Sequence, residues 1–326
     1  MNLVCNVIRG NRIESQHIVH AVVLDKKNQI IFSCGDINYI TCIRSSLNPF
    51  QATALIKYGG HKKFQLSDKE LAIICASHSG EKIHTDTVIQ ILKKIDCTSN
   101  DLECGSHPAY DMQTRHEMLK NNIPYSNIHN NCSGKHAGML ALAKTLGVNH
   151  KGYIDSKHQI QKEIFSNIGT YTNKNPEHIA IDGCSVPTPF YSLITIAKMY
   201  MKLIDKKSKE LTLLYNSITN NPYMIAGKNR FDTDFMSTTK GKGISKGGGE
   251  AIQGLALETK QHGKISLALK VINGSHLVRD VAIMKILNHL EYLNDSQRDA
   301  LKKYNEKPII NHNNIKTGKI LAELIS

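Results

Sequence analysis

The stretch RSSLNPFQ, residues 44–51, places a serine just ahead of a predicted helix. Pro49 suits a first helical turn, and the sequence that follows carries apolar residues at helical spacing. Ser45 therefore has the position of a nucleophile whose proton a basic side chain one turn further on would take. Residue 48 is instead Asn48, and an amide takes no proton at neutral pH. A serine-dependent reaction here needs a base from elsewhere in the chain.

Two more stretches carry residues of the same chemistry. ASHSGE contains Ser77 at the end of a predicted helix, and SKGGGEA contains Lys246 ahead of three glycines and a predicted strand. Glycines allow close approach of a ligand, and a lysine becomes a base when its surroundings lower its pKa. A helix cap and a flexible turn are the ordinary explanations of these stretches. Their order nevertheless repeats, in degenerate form, the S-x-x-K, S-x-N and K-T-G motifs of serine β-lactamases and penicillin-binding proteins, which favours acyl transfer.

A third group of residues is typical of thiol or metal chemistry. NNCSGKHAGM holds Cys132, Lys135 and His136 around a predicted helix start, and IDGCSVPT holds Asp182 and Cys184. A thiolate is stabilised beside a lysine or at a helix N-terminus, and two thiolates can share a zinc ion. The spacing is not a C-x-x-C signature, so two buried thiols in tight turns remain the alternative.

Composition narrows the class of protein. The chain of 326 residues has eight cysteines, and its N-terminus lacks a recognisable secretory leader. Together these two features predict reduced thiols and a cytoplasmic location. No apolar run is long enough for a membrane helix. The net charge of +13 is spread along the chain, with 6% aromatic residues and no nucleic-acid motif. We therefore expect no nucleic-acid or membrane partner, and a basic surface able to attract an anionic substrate.

The elements that must position these residues alternate in type along the chain. Strand-like runs open the sequence, helical periodicity dominates the middle, and a hairpin of AIQGLALE with ISLALKVI is predicted near the end. HIAIDGC reads as a short buried strand, and PFYSLITIAKMYMKLI reads as a helix. Ser67 and Glu70 form a predicted capping box. The pattern predicts an α/β fold, with a mixed antiparallel sheet lobe (1–45 plus 240–326) and an inserted, mainly helical lobe (46–239).

Seven ordered blocks resemble one family: RSSLNPFQA, CASHSGEKIHTD, ECGSHP, NNCSGKHAGML, IDGCSVPTPF, AGKNRFDTDFM and KGGGEA. Their order and intervals are similar to those of the rhizobial-type, or class 3, L-asparaginase II family. The similarity runs from the N-terminal VIRGNRIESQH to about residue 260. It implies one domain over 1–326 with a serine β-lactamase-like fold, a homodimer, and hydrolysis of the small amide L-asparagine to L-aspartate and ammonia.

The resemblance also implies a role for each matching residue. Ser45 matches the nucleophile candidate, and Ser77 with Lys246 matches a second serine–lysine pair. One zinc ion per chain is implied. The implied positions are catalytic Ser45, Ser77 and Lys246, substrate-binding His136, Asp182 and Arg44, and zinc-binding Cys132, Lys135 and Cys184.

The sequence departs from the family pattern at Asn48, where the pattern has lysine. One hypothesis is an amidohydrolase in which Lys246 is the remaining base. The other is a zinc-containing homologue that binds an amino acid without hydrolysing an amide. A β-lactam or peptide acyl-transfer enzyme is a third reading, against which the expected lack of export counts. The sequence leaves open which serine is acylated, whether zinc is catalytic or positions the substrate, and whether asparagine, glutamine or another amide is the substrate.

Overall fold

A computed structural model describes residues 1–325 of the chain. They form two compact units. Of these residues, 1–42, 191–205 and 234–325 belong to the sheet unit, and 43–190 and 206–233 belong to the helical unit. None of the helices within residues 1–325 is long and apolar enough to span a membrane.

The bounds of the regular elements are as follows. The strands are β1 Asn2–Arg9, β2 Arg12–Asp25, β3 Ile30–Cys34, β4 Ile40–Cys42, β5 His178–Ile181, β6 Pro187–Ser192, β7 Gly243–Gly248, β8 Ile252–Thr259, β9 Gly263–Val271, β10 Lys307–Ile310 and β11 Lys316–Ile325. The helices are α1 Asn48–Lys57, α2 Gly60–Lys63, α3 Asp68–Ile74, α4 Lys82–Lys94, α5 Met112–Lys120, α6 Ser133–Leu146, α7 Gln159–Thr172, α8 Leu193–Ile204, α9 Lys209–Asn220, α10 Pro222–Ala226, α11 Phe231–Thr239, α12 His276–His289 and α13 Asp295–Leu301.

The sheet unit is built on an antiparallel sheet of order β10-β11-β1-β2-β9-β8-β7, with β3 also paired to β2. The strand-like runs that open the sequence are β1, β2 and β3, which pair antiparallel in chain order. The predicted hairpin is also present, since β8 and β9 pair from Ile252 opposite Lys270 to Thr259 opposite Gly263. The α/β class with a helical insertion, predicted from the sequence, is confirmed.

Helix α8 packs on this sheet, against β2, β8 and β9. Gly254 in β8 makes the close packing possible, because a Cβ there would overlap the ring of Tyr200 in α8. Burial of this strongly apolar helix explains why residues 191–205 belong to the sheet unit and not to the helical lobe expected from the sequence. Residues 43–45, which the sequence assigned to the sheet lobe, belong instead to the helical unit and form its beginning.

In the helical unit, α1 and α6 are each buried along most of their length. Around them pack α3, α7 and α9.

The predicted capping box starts α3, with the Glu70 backbone N–H donating to Ser67 Oγ and the Ser67 N–H donating to the Glu70 carboxylate.

Two expectations for the segment that follows α7 are wrong. β5 is a strand, but Ile179 and Ile181 on it are exposed, not buried. The residues Pro187–Ser192 form β6, paired with β5, and the predicted helix begins only at Leu193. Prolines at 187 and 189 fix φ and favour an extended conformation for the residue before them, which explains the strand.

Candidate active site

Ser45 lies in a 3₁₀ turn, Arg44–Leu47, that runs directly into α1. Its side chain is buried, with 7% of the residue exposed, and its backbone carbonyl accepts a hydrogen bond from the Asn48 N–H. Arg44 has a left-handed backbone with φ 49°, uncommon for a residue other than glycine. Such strain is typical of residues whose position matters for function, and here it sets the entry of the chain into the serine turn.

Asn48 joins the Ser45 turn to the segment of the second serine. The residue is 1% exposed, and its Nδ2 donates to the carbonyl oxygen of Ala76 at 2.7 Å. Its Oδ1 is buried and has no hydrogen-bond partner within residues 1–325. The side chain therefore anchors the residue before Ser77 and supplies no base.

The segment that carries Ser77 follows α3, as predicted, and is held by two other parts of the helical unit. The Ser77 N–H donates to the Ile225 carbonyl at 2.9 Å, and the His78 N–H donates to the Asn131 carbonyl at 3.1 Å. Ser77 is therefore fixed in place by its own backbone and by that of its neighbour.

His78 is a site-supporting residue that the sequence reasoning did not single out, although it stands in the ASHSGE motif. Its Nδ1 accepts from the Gly80 N–H at 3.1 Å, so Nε2 carries the proton and donates to Ser133 Oγ at 2.9 Å. Burial holds the pKa of His78 well below its ordinary value. The neutral ring therefore links the Ser77 segment to the start of α6.

Cys132, Lys135 and Cys184, here called the cysteine–lysine cluster, come together as the resemblance implied. The Lys135 Nζ donates to Cys184 Sγ at 3.0 Å, and all three side chains are buried. Cys132 is the residue before α6, and its N–H donates to Asn130 Oδ1 at 2.8 Å. Residues about fifty positions apart thus form one buried group.

The electrostatics of the cluster favour one thiolate. A hydrogen bond with Cys132 and the charge of Lys135 hold the pKa of Cys184 well below its ordinary value, although burial opposes them. The same hydrogen bond, together with burial, raises the pKa of Cys132. Burial acts to lower the pKa of Lys135, but the charges of the two cysteines and of Asp182 outweigh it and raise that pKa. Within the cluster, the hydrogen bond with Cys132 and the Lys135 charge therefore favour the thiolate form of Cys184 over that of Cys132.

An ion pair connects this cluster to the serine turn. The Arg44 guanidinium Nε lies 2.5 Å from Asp182 Oδ1, and Asp182 Oδ2 lies 3.8 Å from Cys184 Sγ. Asp182 is almost wholly buried and Arg44 is partly exposed. The residue before Ser45 is thus bound to a carboxylate that also touches the cluster.

His136 lies beside the cluster. The Tyr153 hydroxyl oxygen accepts from the Glu103 N–H at 3.0 Å and is hydrogen-bonded to His136 Nδ1 at 2.6 Å. The other ring nitrogen, Nε2, makes no hydrogen bond of normal geometry within residues 1–325. Burial lowers the pKa of His136, and a hydrogen bond with the neighbouring Cys184 opposes this effect. His136 is therefore a buried imidazole held between Tyr153 and the cysteines.

Lys246 belongs to the sheet unit and stands within β7, not ahead of a strand as expected. Only 2% of the residue is exposed, and its Nζ donates to the Gly247 carbonyl at 2.8 Å. β7 ends the strand order, and a turn with left-handed Glu250 and Ala251 follows it. The lysine is therefore held rigidly in a buried position.

The cysteine–lysine cluster is the group that would hold a metal ion. Within residues 1–325 no three His, Cys, Asp or Glu side chains are grouped to bind one, so zinc would depend on the Lys135 amine as third donor. Two buried sulfur atoms, one favoured as thiolate, are donors that zinc prefers. The donor set therefore fits zinc once Lys135 loses its proton.

Through the Arg44–Asp182 ion pair, the buried serine turn is connected to a cluster of one lysine and two thiols, a set of groups that a hydrolytic enzyme can use. The chain belongs to the L-asparaginase II family, whose model matches residues 5–322. The family resemblance found in the motifs is confirmed, and with it the class of amidohydrolase.

Solved structures similar to the chain include a β-lactamase from Francisella tularensis, at 12% identity and a TM-score of 0.38, covering 84% of this chain and 93% of that one. A glutaminase from Bacillus is similar at 10% identity and a TM-score of 0.38, covering 84% of this chain and 91% of that one. Comparison with curated protein sequences gives no match.

Proposed function

We propose that the protein hydrolyses L-asparagine to L-aspartate and ammonia through an acyl-enzyme on Ser45. One observation on this chain supports the proposal most directly. The Arg44–Asp182 ion pair brings the serine turn to the cysteine–lysine cluster, so residues distant in sequence form one buried site. A small amide is the substrate that this mixture of charged and polar groups suits.

In the proposed reaction, Ser45 Oγ attacks the side-chain amide carbon as its proton passes to a base. The Ser46 N–H donates to the Ile43 carbonyl at 3.2 Å, whereas the Ser45 N–H, in the first turn of the 3₁₀ helix, has no partner inside that helix and can stabilise the oxyanion. The protonated base then gives its proton to the leaving nitrogen, and ammonia departs. Water attacks the resulting ester, which releases L-aspartate and restores the serine.

The base in this proposal is Lys246, on the strength of the motif resemblance. Asn48 is excluded from that role by its chemistry and is engaged with Ala76. Ser77, whose segment Asn48 anchors, remains the second candidate for acylation.

Restoring lysine at position 48 tests this division of roles. Asn48→Lys is expected to raise kcat/KM for L-asparagine by roughly tenfold or more, because it places an amine one turn from Ser45. Asn48→Met is the matched control, with similar length and no base. Steady-state ammonia release measures both variants, and equal rates in Asn48→Lys and Asn48→Met would refute the effect of an amine.

We further propose one zinc ion per chain, held by Cys132, Lys135 and Cys184. A bound zinc would act as a Lewis acid that fixes a polar group of the substrate, since the serine already supplies the nucleophile. Two residues of this chain support that site: Asp182 orients Arg44, and His136 lies against Cys184.

Elemental analysis of the purified protein is expected to find about one zinc per chain. The double variant Cys132→Ser with Cys184→Ser should lose the metal, because hydroxyls are poor zinc ligands. Cys97→Ser, which changes a partly exposed thiol outside the cluster, should retain it. Wild-type protein prepared with zinc present but lacking bound metal would end this proposal.

We also propose an oligomeric state and a cellular location for the protein. We propose a homodimer because the family resemblance implies one, and a cytoplasmic location because all eight cysteines have free thiols. Sedimentation at several concentrations tests the first. A monomer at micromolar concentration would contradict it.

A further inference from the structure

Among the described residues 1–325, Arg230 is a cation without a partner, and it follows a loop that is bonded to the Ser77 segment. The residue is half-buried, and within residues 1–325 its guanidinium makes no ion pair or hydrogen bond. Arg44, which the resemblance assigned to substrate binding, pairs through its Nε with Asp182 at 2.5 Å. A half-buried guanidinium gains from an anion that satisfies its donors.

The loop that precedes Arg230 is hydrogen-bonded to the Ser77 segment, and a third segment of the helical unit is bonded to the same place. The Ser77 N–H donates to the Ile225 carbonyl at 2.9 Å, and Ser79 Oγ donates to the Ala226 carbonyl. From another loop, the Asp111 N–H donates to the Ser79 carbonyl at 2.9 Å. The loop that leads to Arg230 is therefore attached to the Ser77 segment.

Gly227 fixes the course of that loop. It has φ 99°, and a Cβ on it would overlap Glu81 and Ser79. The next residue, Lys228, donates its N–H to Glu81 Oε1 at 3.3 Å. The backbone is therefore fixed at Gly227 and Lys228, and Arg230 lies three residues after Gly227.

The surroundings of Tyr110 support the placement given by the loop. Burial raises the pKa of Tyr110, and the charge of Cys132 adds to this, whereas Arg230 and Arg44 lower it. Both arginines and Cys132 therefore act on the same half-exposed phenol.

We propose that Arg230 binds the α-carboxylate of the substrate. A guanidinium pairs with a carboxylate through two parallel hydrogen bonds, a geometry that lysine does not reproduce. The inference rests on the proposed hydrolysis and restricts its substrate class to amides that carry a free carboxylate, such as free amino acids. Arg230 is thus a specificity-determining residue and takes no part in the proton transfers.

The test compares L-asparagine with 3-aminopropanamide, the same amide without the α-carboxylate. Arg230→Met is expected to raise KM for L-asparagine by roughly 10- to 100-fold with little change in kcat, the loss of a hydrogen-bonded charge pair. KM for 3-aminopropanamide should not change. Arg230→Lys should restore part of the affinity for L-asparagine. Lys228→Met removes one exposed charge from the same loop and should behave as wild type.

Equal changes in KM for both amides, or no change in either, would overturn the proposal. Calorimetric binding of L-aspartate separates it from the hydrolytic function. If wild type releases no ammonia but Arg230→Met still weakens L-aspartate binding by the same factor, the hydrolysis proposal fails and this one stands. Wild-type protein that is folded and does not bind L-aspartate would overturn this one.

Discussion

Replacing Lys246 by methionine is expected to lower kcat/KM for L-asparagine by about three orders of magnitude or more, because the only lysine of the serine–lysine motifs is then gone. The family pattern supplies two lysines, and Asn48 stands in place of the other. Methionine keeps the length of the buried side chain, so packing in β7 changes little.

Lys246→Arg separates the role of a base from that of a charge. Arginine keeps the positive charge but does not lose its proton at neutral pH, so this variant should remain as inactive as Lys246→Met. Lys264→Met is the control within the sheet unit, because Lys264 pairs with Asp205 at 3.1 Å and has no proposed catalytic role. Substantial activity in folded Lys246→Met protein would exclude Lys246 as the base.

Ser45→Ala is expected to have an equally large effect, a loss of about three orders of magnitude or more, because no acyl-enzyme can form on alanine. Acid quenching of wild-type protein mixed with L-asparagine should trap one aspartyl group, which mass spectrometry of peptides would locate on Ser45. Ser77→Ala should still acquire the label, although more slowly.

An aspartyl group found on Ser77 would reverse these assignments. Ser45→Ala protein that still turned over L-asparagine would do the same. Unfolding curves of both alanine variants are the control, since each serine is buried and its loss can also destabilise the helical unit.

The parts of the fold that the sequence predicted correctly are those with local causes. The Ser67–Glu70 capping box and the hairpin of β8 with β9 each depend on residues within a few positions of one another. The segment Pro189–Ser192 was predicted as helix because its apolar residues run on into α8. Pro187 and Pro189 were the signal that could have marked this part of the chain as strand.

The site was less accessible to sequence reasoning, because its contacts are made by tertiary packing. Spacing alone left Cys132 and Cys184 as either thiols or metal ligands, and only the family resemblance joined them with Lys135. The bond from Asn48 to Ala76 had no sequence signal, since any buried amide can find a carbonyl. Arg44 was expected to bind substrate, and its engagement with Asp182 could be seen only in the structure.

The central claim is that the protein is a working asparaginase despite Asn48. The most direct test is ammonia release from L-asparagine by purified, zinc-loaded protein between about pH 6 and about pH 10, with Ser45→Ala measured beside it. We predict release that rises with pH, as an amine base loses its proton, and that is absent in the variant. No release at any pH from folded wild-type protein would contradict the account and indicate a homologue that binds an amino acid without hydrolysing an amide.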